Sequence, residues 1–293
     1  MTHRLALIPA LLATVLCIVG GCSPAPVPQP VRGTTYDPAL HDRLPGGVQA
    51  AGVLRIATDA SYAPASFFDT DGRTVVGFEP DLAEAIGRRL GVDVEFVVMG
   101  FEDVLGAVES GEVDVVMSAM TDTTERERRV DFVNYFSAGT AIVVQRGNPY
   151  RVSDLADLCG QVVAVEEGTV QVDLIAGHQR SCGADRIQVH AHATNSDALL
   201  ELRTGRAAAV LNDYPPAAYL SNDPRTQADF QLASPAQYEP GLYGIGIAKQ
   251  RHGLRAAVRL ALAGLLASDE YEEILTTWDV LDGGVASISV NGG

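Results

Sequence analysis

The sequence predicts an α/β protein with two lobes, because segments typical of strands alternate with segments typical of helices along most of the chain. Hydrophobic residues make up 47% of the 293 residues, which is enough to form a substantial core. Two stretches share one order of helix, glycine and buried strand: Gly111 leads into a strand at 113–117, and Gly205 leads into a strand at 207–211. Since these equivalent units lie far apart in the chain, we expect one in each lobe, with parallel strands.

The first lobe is expected to begin with a buried strand at 53–58, which ends before Asp59. A helix follows from Pro80, because proline suits the first helical position and Gly91 can end the helix in the left-handed conformation. The next expected elements are a strand at 92–98, a short helix at 101–109, the strand at 113–117, a capping box of Thr124 with Glu127, and strands at 130–132 and 141–144.

The second lobe repeats this alternation. Its expected elements are a strand at 162–165, a helix opened by Gly168 and Thr169, a strand at 187–190, a helix at 195–203, the strand at 207–211, and a helix begun by Pro215. A strand at 244–248 and helices at 254–266 and 271–278 return the chain to the first lobe. We therefore assign residues 48–140 and 244–282 to lobe 1, residues 141–243 to lobe 2, and residues 283–293 to a tail.

The N-terminal residues have the pattern of an export signal rather than of a folded domain. Residues 5–19 are almost entirely apolar, and the run is shorter than the ~20 residues that span a bilayer. The run ends in Val19-Gly20-Gly21-Cys22, which resembles the lipobox of bacterial lipoproteins, in which the cysteine carries acyl chains. The alternative is an ordinary secretory signal that is cleaved nearby, with Cys22 unmodified.

A proline-rich stretch follows this signal. Every second residue from Pro24 to Pro30 is a proline, which favours an extended polyproline II tether. We therefore expect residues 1–21 to be a lipoprotein signal peptide and residues 22–47 to be the tether. Lipidated Cys22 would then hold the protein on the extracytoplasmic face of the cell membrane.

The composition excludes several classes of protein. Lysine and arginine total 21 and aspartate and glutamate total 37, so the formal charge is 21 − 37 = −16, and we expect no nucleic-acid partner. Lys249 is the single lysine. Because Gln250 follows it and Gly246 stands three residues before it, neither a Walker A loop nor a Ser-x-x-Lys acyl enzyme is present. We expect no cofactor and no metal site.

Two cysteines, Cys159 and Cys182, follow the predicted signal and lipidation site. In an exported protein such a pair is expected to form a disulfide, which here closes a loop containing a strand and a helix. The alternatives are two free thiols or a metal pair, and the spacing does not match a Cys-x-x-Cys metal site. We expect a structural disulfide.

Polar residues follow several predicted strands, at the strand ends where parallel α/β lobes bind ligands. They are Asp59, residues 118–126, residues 166–171, and Asp213. Two of these loops open a helix and offer backbone N–H groups to an anion, and the guanidinium of Arg126 can bind a carboxylate through two N–H groups. With Asp213 as an acceptor for an ammonium, the set matches the backbone of a free amino acid. The alternative is that Arg126 belongs to a solvated helix face and that Asp213 is a helix cap.

Several motifs in a fixed order make the sequence similar to one family. They are GFEPDLAEAI at 77–86, SGEVDVV at 110–116, and then Met120-Thr121, Glu125-Arg126 and Val130-Asp131-Phe132. They resemble the polar amino-acid-binding proteins of ABC importers, solute-binding family 3, over about residues 52–280. The resemblance implies a two-lobed periplasmic-binding-protein-like fold of type II, with two hinge strands near 138–146 and 240–248. It also implies a monomer whose partners are a free amino acid, an ABC permease and the ATPase of that permease.

The same resemblance assigns the backbone of the amino acid to particular residues. Arg126, Thr121 and the backbone of Ala119 would hold the α-carboxylate, with help from Thr169 in the second lobe. Asp213 would hold the α-ammonium.

Four further residues match positions that contact the ligand in the family. Tyr62 and Phe101 match aromatic positions that sandwich the ligand, and Asp59 and Glu166 match positions that contact its side chain. The chain departs from the family at Ala119, where glycine is frequent, and at Glu166, where some glutamine binders have a cation. Asp59 and Glu166 together favour a basic or amide ligand such as arginine, lysine or glutamine.

Two other functions fit the same resemblance. One is an enzyme similar to cyclohexadienyl or prephenate dehydratases, which would use Glu166 or Glu167 as a general acid. The other is a tethered sensor that reports an amino acid to a membrane partner without transport. We expect a binding protein rather than an enzyme.

Overall fold

The structure of the chain is a computed structural model that describes residues 35–293. The predicted signal peptide, the lipidation site Cys22 and residues 22–34 of the predicted tether lie outside the described residues. No helix within residues 35–293 is both long enough and apolar enough to cross a membrane.

Strands and helices alternate through the described residues, and the strands form one large and one small sheet. The strands are β1 (Val53–Thr58), β2 (Ser61–Tyr62), β3 (Ser66–Phe68), β4 (Val75–Val76), β5 (Asp93–Val98), β6 (Val115–Val116), β7 (Val130–Gln145), β8 (Val162–Glu166), β9 (Gln188–His192), β10 (Ala209–Asp213), β11 (Phe230–Leu232) and β12 (Tyr238–Ala248). The helices are α1 (Pro38–His41), α2 (Gly46–Ala51), α3 (Phe78–Leu90), α4 (Val104–Ser110), α5 (Val170–His178), α6 (Asn195–Arg203), α7 (Tyr214–Asn222), α8 (His252–Ala267) and α9 (Glu270–Thr277).

The large sheet runs through both lobes in the order β5, β1, β6, β12, β7, β10, β8, β9, and β11 pairs with β7. Strand β1 pairs in parallel with β5 and β6, and β8 pairs in parallel with β9 and β10. These two parallel blocks are the centres of lobe 1 and lobe 2. They confirm the predicted two-lobed α/β class.

Two long strands, β7 and β12, join the lobes. β7 pairs with β12 from Val130 to Thr140 and with β10 from Thr140 to Val143, always antiparallel. The sequence predicted two short strands where the structure has one continuous strand, because nearly every residue of β7 is buried and many are β-branched or aromatic. The predicted lobe boundaries at 140/141 and 243/244 fall inside these strands, where a hinge is expected.

Each lobe has its own apolar core. In lobe 1, α3 buries Phe78, Leu82, Ile86 and Leu90, which lie on one helix face because they follow each other at intervals of four residues. In lobe 2, residues of β7, β8, β10, α5 and the segments before β8 and after α5 form a second cluster, which includes Val163 and Cys182. The two cores let each lobe keep its shape if the lobes move relative to each other.

The predicted disulfide joins Cys159 and Cys182, with the sulfur atoms 2.06 Å and the Cα atoms 5.3 Å apart. Cys159 precedes β8, and Cys182 follows α5. The bond therefore closes the strand–helix unit that carries Glu166.

The predicted tether extends too far toward the C-terminus. Residues after Asp37 form α1 and α2 instead, and Leu40, Leu44 and Val48 are buried in the core of lobe 1. Pro38, which lies within the predicted tether, occupies the first turn of α1, where its missing N–H costs nothing. Lobe 1 thus begins before residue 48.

Some local predictions are also wrong. Helix α3 begins at Phe78 rather than at Pro80. Thr124 does not cap a helix, because Thr123 Oγ1 accepts the N–H of Arg126 at 3.3 Å and only a short 3-10 turn, Arg126–Arg128, follows. The small sheet of β2, β3 and β4 was not predicted, because its strands are only two or three residues long.

Candidate ligand-binding site

The carboxyl ends of the parallel strands meet at a cleft between the lobes. Its lining residues are Asp59, Tyr62, Phe101, Ser118, Ala119, Thr121, Arg126, Glu166, Thr169, Val170, Gln171 and Asp213. This set contains every ligand-contacting residue that the sequence analysis named, and it adds Ser118, Val170 and Gln171. The space between the side chains is about 20 Å³, room for about one water, so a larger ligand requires the lobes to separate.

Arg126 joins the two sides of the cleft. Its Nη1 donates to Thr121 O at 2.7 Å in lobe 1, and its Nη2 donates to Gly168 O at 2.9 Å in lobe 2. The guanidinium carbon lies 5.4 Å from the ring centre of Phe101, which is a cation–π distance. A guanidinium has five N–H groups, so further donors remain for an anion. Burial lowers the pKa of Arg126, but an arginine still carries its charge.

Asp213 lies at the end of β10 with both carboxylate oxygens bonded. Oδ1 accepts from Gln171 Nε2 at 2.8 Å, and Oδ2 accepts from the hydroxyls of Tyr243 at 2.7 Å and Tyr62 at 3.3 Å. Burial raises the pKa of Asp213 to about 6, although these three hydrogen bonds oppose the shift. The carboxylate is therefore held in place by neutral donors and is ionised at neutral pH.

Asp59 and Glu166 bring two acids to the cleft, one from each lobe. Burial raises the pKa of Asp59, against a hydrogen bond from Ser61. Burial and the charge of Asp59 raise the pKa of Glu166 to about 8, against a backbone hydrogen bond from Asn195. Glu166 Oε1 is buried and has no hydrogen-bond partner among residues 35–293. A cation placed between these two acids would stabilise both charges.

The backbone of Ala119 lines the cleft, but its N–H is already bonded. Ala119 N donates to Glu79 Oε1 at 2.6 Å, so in this structure it is not available to a ligand. Ala119 has a φ of 45°, in the left-handed region that favours glycine, which accounts for the frequent glycine of the resembling family at this position. Glu79 is fully buried and also accepts from the hydroxyls of Ser66 and Tyr135.

Sequence reasoning missed Glu79 and Tyr243, and it placed Gln171 among the polar residues at the strand ends without giving it a role. Glu79 stands inside the motif at 77–86, where an acid surrounded by apolar residues could have indicated a buried anchor. Gln171 and Tyr243 meet Asp213 only through the fold, because Tyr243 arrives on the returning strand β12. No local pattern indicates that either residue contacts Asp213.

The first turn of α5 also faces the cleft, through Thr169, Val170 and Gln171. Thr169 is the residue before the helix, and its hydroxyl donates to Glu166 O at 2.8 Å. The N-terminus of a helix carries a partial positive charge and free N–H groups, so this turn can add to Arg126 in binding an anion.

The cleft thus combines a guanidinium and a helix N-terminus with three buried acids. The chain is also similar to known proteins that are named for binding arginine. Residues 54–280 match the family described as bacterial extracellular solute-binding proteins, family 3. The arginine-binding protein ArgT of Corynebacterium glutamicum is 27% identical over 267 residues, covering 88% of this chain and 82% of that protein.

Solved structures resemble the chain in fold and in sequence. An ancestral arginine-binding protein bound to arginine superposes with a TM-score of 0.71 at 35% identity, covering 78% of this chain and 98% of that one. The ancestral amino acid-binding protein AncCDT-1, a precursor of cyclohexadienyl dehydratase, superposes with a TM-score of 0.70 at 31% identity, covering 79% and 97%. The family match spans most of the described residues, and the chain belongs to the bacterial extracellular solute-binding proteins of family 3.

Proposed function

We propose that this protein captures a basic amino acid, arginine first among them, outside the cytoplasm and delivers it to an ABC permease. The observation that carries the proposal is the charge of the cleft: one cation, Arg126, stands with three acids, Asp59, Glu166 and Asp213. Arginine presents the complement, one carboxylate and two cationic groups. The relatives named for arginine support the same ligand class.

The proposed roles follow the chemistry of each end of the cleft. Arg126, Thr121, Thr169 and the first turn of α5 bind the α-carboxylate, because they offer a guanidinium, the hydroxyl of Thr121 and free backbone N–H groups. The hydroxyl of Thr169 already donates to Glu166 O, so Thr169 contributes through its backbone. Asp213 binds the α-ammonium as a charged acceptor. The N–H of Ala119 joins the carboxylate site only if Glu79 releases it.

The remaining lining residues would contact the side chain. Tyr62 and Phe101 cover the aliphatic part of the ligand, and Asp59 and Glu166 accept hydrogen bonds from its cationic end. Closing the lobes around the ligand along β7 and β12 would create the form that docks on the permease, which the ATPase then drives.

A thermal-shift panel of the twenty amino acids tests the proposal. The chain from residue 23 would be unfolded and refolded first to remove any bound ligand. A ligand at roughly 1,000 times its dissociation constant stabilises the folded form by about 4.1 kcal/mol, which is easily seen. We expect the largest shifts with arginine and lysine. A shift with glutamate or aspartate alone would overturn the basic ligand, and no shift at all would overturn amino-acid binding.

We further propose that Cys22 anchors the protein to the membrane by acyl chains, on the basis of the lipobox-like residues 19–22. The variant Cys22→Ser should appear in the culture medium or periplasm rather than in the membrane fraction. Continued membrane association of this variant would contradict lipidation at Cys22.

One observation favours a second candidate, a dehydratase similar to the enzymes that act on prephenate. Glu166 is buried with a pKa of about 8, so it is largely protonated at neutral pH, as a general acid must be. Incubation with prephenate, followed by the absorbance of an aromatic product, tests this function. Turnover that Glu166→Gln abolishes would favour the enzyme over the binding protein.

A further inference from the structure

The C-terminal segment, residues 284–292, lies against lobe 1 and is outside the part of the chain that matches the family, residues 54–280. Gly284 forms a bridge with Phe136, and Val290 forms a bridge with Val133, both antiparallel. The segment therefore runs along β7 instead of hanging free as a tail.

The segment covers an edge of β7 that would otherwise be open. In lobe 2, β10 and β11 pair with β7, but in lobe 1 the strand pairs with β12 alone. There the backbone of Phe132 bonds to Asn291 twice: Phe132 N donates to Asn291 Oδ1 at 2.8 Å, and Asn291 N donates to Phe132 O at 3.1 Å. Asn134 N donates to Ser289 O at 3.1 Å. An unpaired strand edge is costly to bury, so these bonds hold the segment in place.

The end of the segment reaches the loop that carries Arg126. Gly292 N donates to Asp122 Oδ2 at 3.1 Å, and Asn134 Nδ2 donates to the same oxygen at 2.8 Å. Asp122 is only 3% exposed, so its carboxylate needs these hydrogen-bond donors in place of water. The next residue toward the N-terminus, Thr121, accepts Arg126 Nη1 through its carbonyl. A chain of direct contacts thus connects the C-terminal segment to the guanidinium in the cleft.

The loop from 118 to 126 is held by buried carboxylates at two places. Glu79 bonds to the N–H of Ala119, and Asp122 bonds to the C-terminal segment and to Asn134. Glu79 lies within the part of the chain that matches the family, whereas Asn291 and Gly292 lie beyond it. The second support therefore joins residues inside the matched region, Asp122 and Asn134, to residues beyond it.

We propose that Asn291 and Gly292 are positioning residues: Asn291 holds the segment on Phe132 of β7, and Gly292 fixes Asp122, which thereby places Thr121 and Arg126 for ligand binding. The inference rests on the proposed function, because it takes Arg126 to be a ligand-binding residue. Without these contacts, Asp122 loses a donor and the loop samples other conformations, so the closed cleft forms less often.

The test compares the wild-type protein with three variants. They are Asn291→Ala, a deletion of residues 291–293, and the control Ser287→Ala. Ser287 lies in the same segment and is exposed. Amide hydrogen exchange of the unliganded proteins should be about tenfold faster at 118–126 in the first two variants, and unchanged in β1 of the same lobe and in β8 of lobe 2. The dissociation constant for arginine should rise about three- to tenfold, as expected for the loss of one or two hydrogen bonds.

Equal exchange at 118–126 in Asn291→Ala and Ser287→Ala would overturn the proposal. So would faster exchange throughout lobe 1 including β1, which would mean a general structural role, or faster exchange at 118–126 with unchanged arginine affinity. If the wild-type protein binds no amino acid but exchange at 118–126 still accelerates, the proposed function fails and the positioning of the loop stands.

Discussion

The two ends of the cleft differ in how completely their acids are bonded. Asp213 receives three hydrogen bonds, from Gln171, Tyr62 and Tyr243, and has a pKa of about 6. Glu166 has a buried oxygen without a partner among the described residues and a pKa of about 8. Both carboxylates are buried, so the difference comes from their neighbours and not from exposure.

We expect the Asp213 end to bind the groups that all amino acids share, and the Glu166 end to bind the side chain, which differs between classes of amino acid. The Asp213 end is prepared in advance, because its carboxylate is oriented and charged before a ligand arrives. Under the proposed function, the Glu166 end would be completed by a donor, preferably a cation, from the ligand itself. Affinity for the amino-acid backbone should therefore be general, and selectivity should reside at Glu166 and Asp59.

Removing Arg126 should have the largest effect, because it acts at the common end and is the one cation of the cleft lining. Arg126→Ala should weaken every amino acid by about 2–5 kcal/mol, roughly thirtyfold to several thousandfold, measured by calorimetry. The control is Arg128→Ala, an exposed arginine in the same short turn. Wild-type affinity in Arg126→Ala would refute its role with the α-carboxylate.

Asp213→Asn should come next, because it keeps the shape of the site and removes the charge that meets the α-ammonium. Loss of one hydrogen bond to a charged group costs about 1.5–3 kcal/mol, or roughly ten- to 150-fold. Arginine, lysine and glutamine should be weakened by similar factors in parallel titrations. A loss of affinity confined to one of these three ligands would place Asp213 in the side-chain part of the cleft and would contradict its role with the α-ammonium.

Glu166→Gln should give a smaller loss, restricted to cationic ligands. We expect arginine and lysine to bind about five- to thirtyfold more weakly, while glutamine keeps its affinity, because an amide replaces a carboxyl that is mostly protonated in the empty cleft. The ratio of arginine to glutamine affinity is the measurement. An unchanged ratio would remove Glu166 from the selectivity determinants.

The sequence could predict which residues meet in the cleft, because strand carboxyl ends and helix openings are local features that parallel topology brings together. Asp59, Glu166 and Asp213 each follow a strand that was correctly placed. The bonding of these residues could not be predicted, because Tyr243 reaches Asp213 from a strand 30 residues further along the chain. The roles that the resemblance assigned to the cleft residues remain proposals.

The fold class and the disulfide were also predicted, and two of the errors lie at the ends of the folded region. Near the N-terminus, prolines were read as signs of an extended tether, although Leu40 and Leu44 are buried against lobe 1. Near the C-terminus, Ala286, Ile288 and Val290 alternate with Ser287 and Ser289, which is a pattern typical of a strand. Residues 283–293 were nevertheless assigned to a tail, and the pattern alone does not identify β7 as the partner. In both places, contacts with distant residues decide the structure.

The comparison also predicts how arginine affinity depends on pH. A bound cation favours ionised Glu166, so below pH 8 binding must release the proton that burial and Asp59 keep on Glu166. Affinity should therefore rise with pH, by about tenfold between pH 7 and pH 8.5, and level off above. The free energy of unfolding of the unliganded protein should instead fall as the pH rises. Because the pKa of Glu166 is raised in the folded state, its protonated carboxyl contributes stability that is lost as the pH rises through about 8. Both trends should be absent in Glu166→Gln.

Removing the disulfide should have the smallest effect on affinity, although it acts on the strand that carries Glu166. The bond between Cys159 and Cys182 closes a loop with a sequence separation of 23, worth about 3 kcal/mol by the chain-entropy argument. Strand β8 is also held by pairing with β9 and β10, so its end should keep its position once the lobe has folded. The double variant Cys159→Ser/Cys182→Ser should unfold at lower denaturant concentration and bind arginine within about twofold of wild type. A loss of affinity for arginine but not for glutamine would contradict this expectation. It would show that the position of Glu166 depends on the disulfide, whereas that of Asp213 does not.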